Sequence, residues 1–284
     1  MGFIFRLVAL LSLDAVRTLG RFIGRMLYRF DKSSRRNIDA NLKRSGLFSE
    51  AFARRVAEET GVQAVEGVWV WQQDPSEILK RCSISREEKD LLCGYNAKNT
   101  PVVFLTPHIG TYEVAPIWLS QAVLKGGSRS MAIMFKMPGK AYMRSVVAHG
   151  RDIENIVPVT ADLKGIRHMM RRLKTGDWAG ILPDQVPTGG QGVWADFFGT
   201  KAYTMTLPLR IARQMGAKVI MVAVIRTKGG WEIRALPWEG ELPEDPGEGA
   251  EILNQSVEKA VGLCPEQYLW AYNRYKCPAG VKRP

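Results

Sequence analysis

The chain has no long uncharged run. In its most apolar segment, FIFRLVALLSLDAVRTLGRFIGRMLYRF at residues 3–30, the longest stretch without a charge is LVALLSL, seven residues. A bilayer-spanning helix needs about 20. No small-residue cleavage site follows, which argues against a removable signal peptide. Histidine is scarce, with three in 284 residues, so a His-rich metal site is not expected. The four cysteines (Cys82, Cys93, Cys264, Cys277) have no C-x-x-C spacing and no nearby histidine, so neither zinc nor a disulfide framework is signalled and a reducing setting fits best. There is no G-x-S-x-G elbow, the serines of GGSRS at 126–130 lack its spacing, and GTK at 199–201 lacks the preceding glycine of a phosphate loop. No resident cofactor is expected.

What is present is an ordinary globular composition, 46% hydrophobic and 24% charged, with material for a sizeable core. Forty Lys and Arg stand against 28 Asp and Glu, a net charge of +12. That excess favours an acidic partner, whether nucleic acid, anionic lipid or an acidic protein. No RNA- or DNA-binding module accompanies it, and nucleic acid ranks last.

The basic residues near the N-terminus are patterned. At about 100° per residue, Arg6, Arg17, Arg21, Arg25 and Arg29, with Asp14, fall on one side, while Leu7, Leu10, Leu11, Phe22, Ile23 and Leu27 fill most of the rest. This predicts an amphipathic helix over residues 1–30 that lies in a membrane interface, apolar side in the acyl region and arginines on anionic phosphates. The alternative is an ordinary helix packed against the domain.

Residues 32–80 are helical in period, with Ser49 and Gly46 as start and stop signals. From residue 101 the pattern alternates. PVVFL, SMAIMF, NIVPVT, WAGILP, KVIMVAVIRT and WEIRALP read as strands; EVAPIWLSQAVL, KAYMRSVVAHG, LKGIRHMMRRLKTG, TLPLRIARQMGA and EGAEILNQSVEKAVGLCP read as helices. The fold expected is α/β: one domain, residues 31–284, with a mostly buried mixed sheet flanked by helices.

The candidate chemistry starts where the first long strand ends, at TPHIGTYE. Residues five apart point about 140° from each other on a continuous helix. His108 and Glu113 therefore meet only if His108 lies in a strand-to-helix loop and Glu113 in the first turn. Pro107 and Gly110 favour that loop, Thr111 is a reasonable N-cap, and Pro116 is tolerated near a helix start. A carboxylate on one ring nitrogen would fix the tautomer and raise the basicity of the other. With no partner serine or cysteine in sight, such a base points to a hydroxyl brought by the substrate, that is, to direct acyl transfer; the other reading is a structural histidine near a strand end. Asp184 and Gln185 leave the strand of WAGILP at the kind of edge where α/β sheets place ligands, although Asp184 reads equally as a turn cap. Lys136 and Arg151 are candidates for phosphate or oxyanion binding. Trp194, Phe197 and Phe198 read as core first and as an apolar channel second.

The H-x-x-x-x-E at His108 and Glu113 resembles the H-x4-D/E signature of the lysophospholipid acyltransferase superfamily. Three longer stretches, HGRDIENIVPVTADLKGIRHMMRRLKTGDWAGILPDQ, FFGTKAYTMTLPLRIARQMGAKVIMVAVIR and PEQYLWAYNRYKCPAG, narrow the resemblance to the late acyltransferases of lipid A biosynthesis, the lauroyl/myristoyl branch. LPDQ stands where the glycerol-phosphate branch carries F-P-E-G-T-R. The resemblance implies a bacterial inner-membrane enzyme, active site on the cytoplasmic face, that moves a fatty acyl chain from acyl carrier protein to a hydroxyl of a glycolipid acceptor. It implies His108 as base, Glu113 as its partner, and substrate-binding roles for Arg151, Lys136, Asp184 and Gln185, without metal or covalent intermediate. Tyr272 and Asn273 depart from the branch's W-x-H-R-R-F-K segment. A phospholipid or ornithine-lipid O-acyltransferase, or a membrane-surface binding protein that does no chemistry, are the alternatives.

Overall fold

The computed structural model describes residues 7–135 and 153–284. Lys136, Arg151, Arg6 and the helix expected over KAYMRSVVAHG lie outside the described residues.

Among the described residues, three long helices come first: α1 (Leu13–Phe30), α2 (Lys32–Arg44) and α3 (Glu50–Val70). Each has a sequence-encoded start. Ser12, Asp31 and Ser49 accept backbone N–H groups of the first turn, Ser49 from Phe52 at 3.1 Å, satisfying donors that have no partner within the helix. Gly46 ends α2 in a left-handed conformation, φ +73°, as its position in the sequence suggests. Helix α4 (Pro75–Lys80), the two-residue β1 (Cys82–Ser83) and α5 (Arg86–Ala97) lead into the sheet.

The sheet comprises β2 (Val102–Leu105), β3 (Met131–Phe135), β4 (Ile156–Thr160), β5 (Trp178–Ile181), β8 (Lys218–Arg226) and β9 (Trp231–Pro237), with β1 at one edge. Its order is β1-β9-β8-β2-β5-β3-β4. Only β8 and β9 run antiparallel; the other pairs are parallel. The mixed, mainly parallel sheet is the expected one. Both faces are covered. Val103, Leu105, Ile181, Val219 and Met221 pack on one side with α7 (Leu163–Lys174), α8 (Leu207–Met215) and α9 (Pro246–Gly262). Val102, Phe104, Trp178, Ile220 and Val222 pack on the other with residues of α1, α3 and α6 (Val114–Leu119). Double coverage is why these strands read as continuous apolar runs rather than alternating ones.

An element that the sequence pattern did not reveal is the hairpin of β6 (Gly192–Phe197) and β7 (Thr200–Met205), a separate two-stranded sheet. Its turn places Phe198 and Gly199 at positive φ. Phe197 is buried core and Phe198 packs against that core. Trp194 meets Tyr203 edge to face and donates its ring N–H to the Lys282 carbonyl at 2.8 Å.

The N-terminal helix corrects one expectation. Arg17 faces the domain, not a lipid surface, and Arg21 and Arg25, both exposed, sit at the α1–α3 boundary. Arg17 is buried and pairs with the equally buried Glu66 at 3.0 Å, while its guanidinium also donates to the carbonyls of Gly230, at 2.9 Å, and Thr227. Arg21 reaches Glu59 at 3.8 Å and Arg25 reaches Glu58 at 3.1 Å. A buried guanidinium needs a paired carboxylate to offset its lost hydration, and Glu66 of α3 supplies it. Beside the exposed Arg21, Arg25 and Arg29, the outward side carries large apolar residues: Leu19, Phe22, Leu27 and Phe30 are exposed, as is Leu10 just before the helix. Among the described residues, no helix is long and apolar enough to cross a membrane.

The α1–α3 contact depends on glycine. A Cβ on Gly24 would lie 2.1 Å from the Ala57 carbonyl oxygen, and one on Gly61 would lie 2.2 Å from that of Gly20. Backbone cannot yield as a side chain does, so Gly24→Leu should force the helices apart and cost about 1–3 kcal/mol by overpacking. Chemical denaturation of the full chain checks this; an unchanged midpoint would contradict the tight packing.

Candidate active site

His108 follows β2, the central strand, by three residues, and Asp184 follows β5 by the same three. In the parallel β2–β5 ladder, Leu105 is opposite Ile181. Adjacent strands lie about 4.8 Å apart, so the two residues leave the same sheet edge side by side. Asp184 holds His108 twice: Oδ2 accepts the His108 backbone N–H at 2.8 Å, and Oδ1 lies 2.7 Å from ring Nδ1. The carboxylate is nearly fully buried. Burial by itself would raise its pKa, but the charge and hydrogen bonds of His108 outweigh that and hold it below the ordinary aspartate value of 3.8. Asp184 is thus ionised through the neutral range. The stability it lends is present above its unfolded value and is lost only as pH falls through the lower folded one.

The loop between β2 and α6 is held on every side. Gly110 adopts φ +57°, and a Cβ there would sit 1.7 Å from the Val224 carbonyl oxygen; any other residue would push the loop off β8. Gln63 of α3 donates to the carbonyls of His108 (3.1 Å) and Gly110 (3.0 Å). From the C-terminal segment, Leu269 N–H donates to the His108 carbonyl at 3.0 Å. The N–H of Gly110 is itself spent on the Gln267 carbonyl at 3.0 Å, and that of Thr111 on Val224 at 3.2 Å. Neither is open to an oxyanion.

The other ring nitrogen, Nε2, meets the Gln185 carboxamide nitrogen at 3.1 Å. Tyr112 stacks edge-on against the imidazole, centroids 4.7 Å apart. Tyr272, which departs from the branch pattern, accepts the Val186 N–H through its hydroxyl at 3.0 Å and so anchors the loop next to Gln185; Asn273 is exposed. Behind Asp184, burial pushes the Tyr268 hydroxyl well above its usual pKa, with the Asp184 charge adding to the effect.

The structure therefore brings His108, Asp184 and Gln185 together. The expected loop exists, but the helix after it begins at Val114 with Glu113 as its N-cap residue, two residues beyond Thr111. The carboxylate on ring Nδ1 is that of Asp184. A 76-residue separation leaves no local pattern; the signal is that His108 and Asp184 each stand just past a buried strand. Chemically, an imidazole with Nδ1–H on a buried carboxylate presents its Nε2 lone pair, the arrangement of a general base. Among the described residues no group of His, Cys, Asp and Glu is placed to hold a metal ion.

Residues 1–277 match the family described as bacterial lipid A biosynthesis acyltransferase. Among curated relatives, the chain is 24% identical to the lipid A biosynthesis palmitoleoyltransferase of Escherichia coli (strain K12) over 268 residues, 91% of this chain and 84% of that one. It is 27% identical to the lipid A biosynthesis myristoyltransferase of the same organism over 270 residues, 89% and 77% of the two chains. The lipid A biosynthesis lauroyltransferase matches at 32% over 125 residues, 42% of this chain and 41% of that one.

Proposed function

Because the chain belongs to the bacterial lipid A biosynthesis acyltransferase family, we propose that it transfers a fatty acyl chain from acyl carrier protein to a hydroxyl of a lipid A precursor. The observation that carries the chemistry is His108 Nδ1 at 2.7 Å from the buried Asp184 carboxylate. In this reading Nε2 takes the proton of the acceptor hydroxyl as its oxygen attacks the thioester carbonyl. The tetrahedral oxyanion collapses, the carbon–sulfur bond breaks, and the carrier's thiolate takes the proton back from Nε2–H. Asp184 keeps Nδ1–H throughout and stabilises the imidazolium between the two transfers. No covalent enzyme intermediate is needed. Glu113 supplies a second carboxylate at the start of α6. With the loop N–H groups spent within the fold, Arg151 is assigned the oxyanion and Lys136 the acceptor's phosphate.

The exposed face of α1, with Phe22 and Phe30 53% and 70% accessible, is proposed to lie in the cytoplasmic leaflet of the inner membrane. The excess of 12 positive charges suits both that anionic surface and an acidic carrier protein.

The test incubates purified full-length protein in detergent with radiolabelled acyl carrier protein thioesters and a tetra-acylated lipid A precursor. Label passing to the glycolipid supports the reading. Transfer to a lysophospholipid instead would move the acceptor assignment to phospholipids, and no transfer to either would contradict an enzymatic role.

A further inference from the structure

We infer that Gln185 caps the base: its carboxamide N–H occupies the Nε2 lone pair of His108 until an acceptor hydroxyl displaces it. The inference rests on the reading of His108 as the base. Asp184 takes the Nδ1–H of the neutral ring, which leaves Nε2 as an acceptor only. The Gln185 nitrogen at 3.1 Å must then be the donor, and it uses the one in-plane lone pair that proton abstraction requires. Backbone and side chain are divided in a way that permits release. The Val186 N–H is pinned to the Tyr272 hydroxyl, and the Tyr272 carbonyl is in turn held by the Asn41 amide at 2.7 Å. The Gln185 side chain is only half-buried, in an irregular segment after β5. It can swing aside while the loop stays in place.

The chemical use of such a cap is to keep water off the base. A water on Nε2 would give its proton to the ring and attack the thioester carbonyl. The thiolate would leave, take up that proton, and a free fatty acid would result. A hydroxyl delivered with a whole glycolipid can displace one amide hydrogen bond, worth about 0.5–1.5 kcal/mol; an isolated water is poorly placed to do so.

Diethylpyrocarbonate acylates a free imidazole nitrogen and needs no substrate, so it reads the cap independently of turnover. In the full-length protein, His108 should be modified roughly fivefold faster in both Gln185→Ala and Gln185→Leu than in wild type, the factor given by about 1 kcal/mol. His168, on α7, is the internal control and should not change. Leucine keeps the bulk and removes the donor. A leucine variant as slow as wild type would mean shielding by size and would overturn the hydrogen-bonded cap, as would equal rates in all three proteins. In Gln185→Ala, hydrolysis of the carrier thioester without acceptor should rise relative to transfer, and the acceptor's KM should fall; unchanged hydrolysis would overturn the water-excluding role. If wild type transferred to no acceptor, the proposed function would fail, while the diethylpyrocarbonate rates would still decide the cap.

Discussion

Asp184→Asn should slow acyl transfer by about 10²–10⁴, the range that general-base help supplies, and so nearly as far as His108→Ala. The reason lies in the two bonds Asp184 makes. Its Oδ2 accepts the His108 backbone N–H and its Oδ1 faces Nδ1. An asparagine would keep the first bond with its carbonyl and turn its NH2 group to the ring. That donor stabilises the tautomer with a lone pair on Nδ1 and a proton on Nε2, which leaves the reacting nitrogen with nothing to accept into. Fold and substrate affinity should be largely kept, so the loss belongs in kcat. Glu113→Gln provides the comparison: if it cost more than Asp184→Asn, the orienting carboxylate would be Glu113 and not Asp184.

Glu66→Ala should be the most destabilising single change on the N-terminal side, by about 3–5 kcal/mol. Glu66 is fully buried, accepts from two nitrogens of Arg17 and takes the Trp231 ring N–H at 2.7 Å. Removing it strands a guanidinium in the interior between α1, α3 and the β8–β9 turn. Arg17→Met should cost less, because the buried carboxylate it leaves keeps the Trp231 donor and can be neutralised by taking up a proton, whereas a guanidinium cannot give one up. Urea unfolding of the two variants checks the ranking; equal midpoints would mean that water reaches the pair and relieves the burial cost.

Much of the fold is legible in the sequence where a strand or helix carries its own punctuation. PVVFL and KVIMVAVIRT are strands with both faces buried or nearly so, WEIRALP alternates buried and half-buried residues, and Ser49, Gly46 and Gly176 mark helix ends at which Gly46 and Gly176 take positive φ. The β6–β7 hairpin escapes because four glycines between 189 and 199 give it the composition of a loop. Helix α5 escapes because it is polar and buries only Leu92. The arginine face of α1 is legible, but not what it meets. Arg17, Arg21 and Arg25 ascend as Glu66, Glu59 and Glu58 descend, which is the signature of two antiparallel helices and the signal that a charge-pairing search would have found. His108 is legible as a histidine past a buried strand. Its partner is not, because sheet register and not chain proximity sets it beside Asp184.

The measurement that bears most directly on the account is a single-turnover comparison of purified wild type and His108→Ala, with acyl carrier protein thioester and lipid A precursor, each protein first shown to unfold at the same denaturant concentration. The account predicts label moving to the glycolipid with wild type and at least 10² slower movement with the variant. Transfer at the wild-type rate by a folded His108→Ala protein would contradict it.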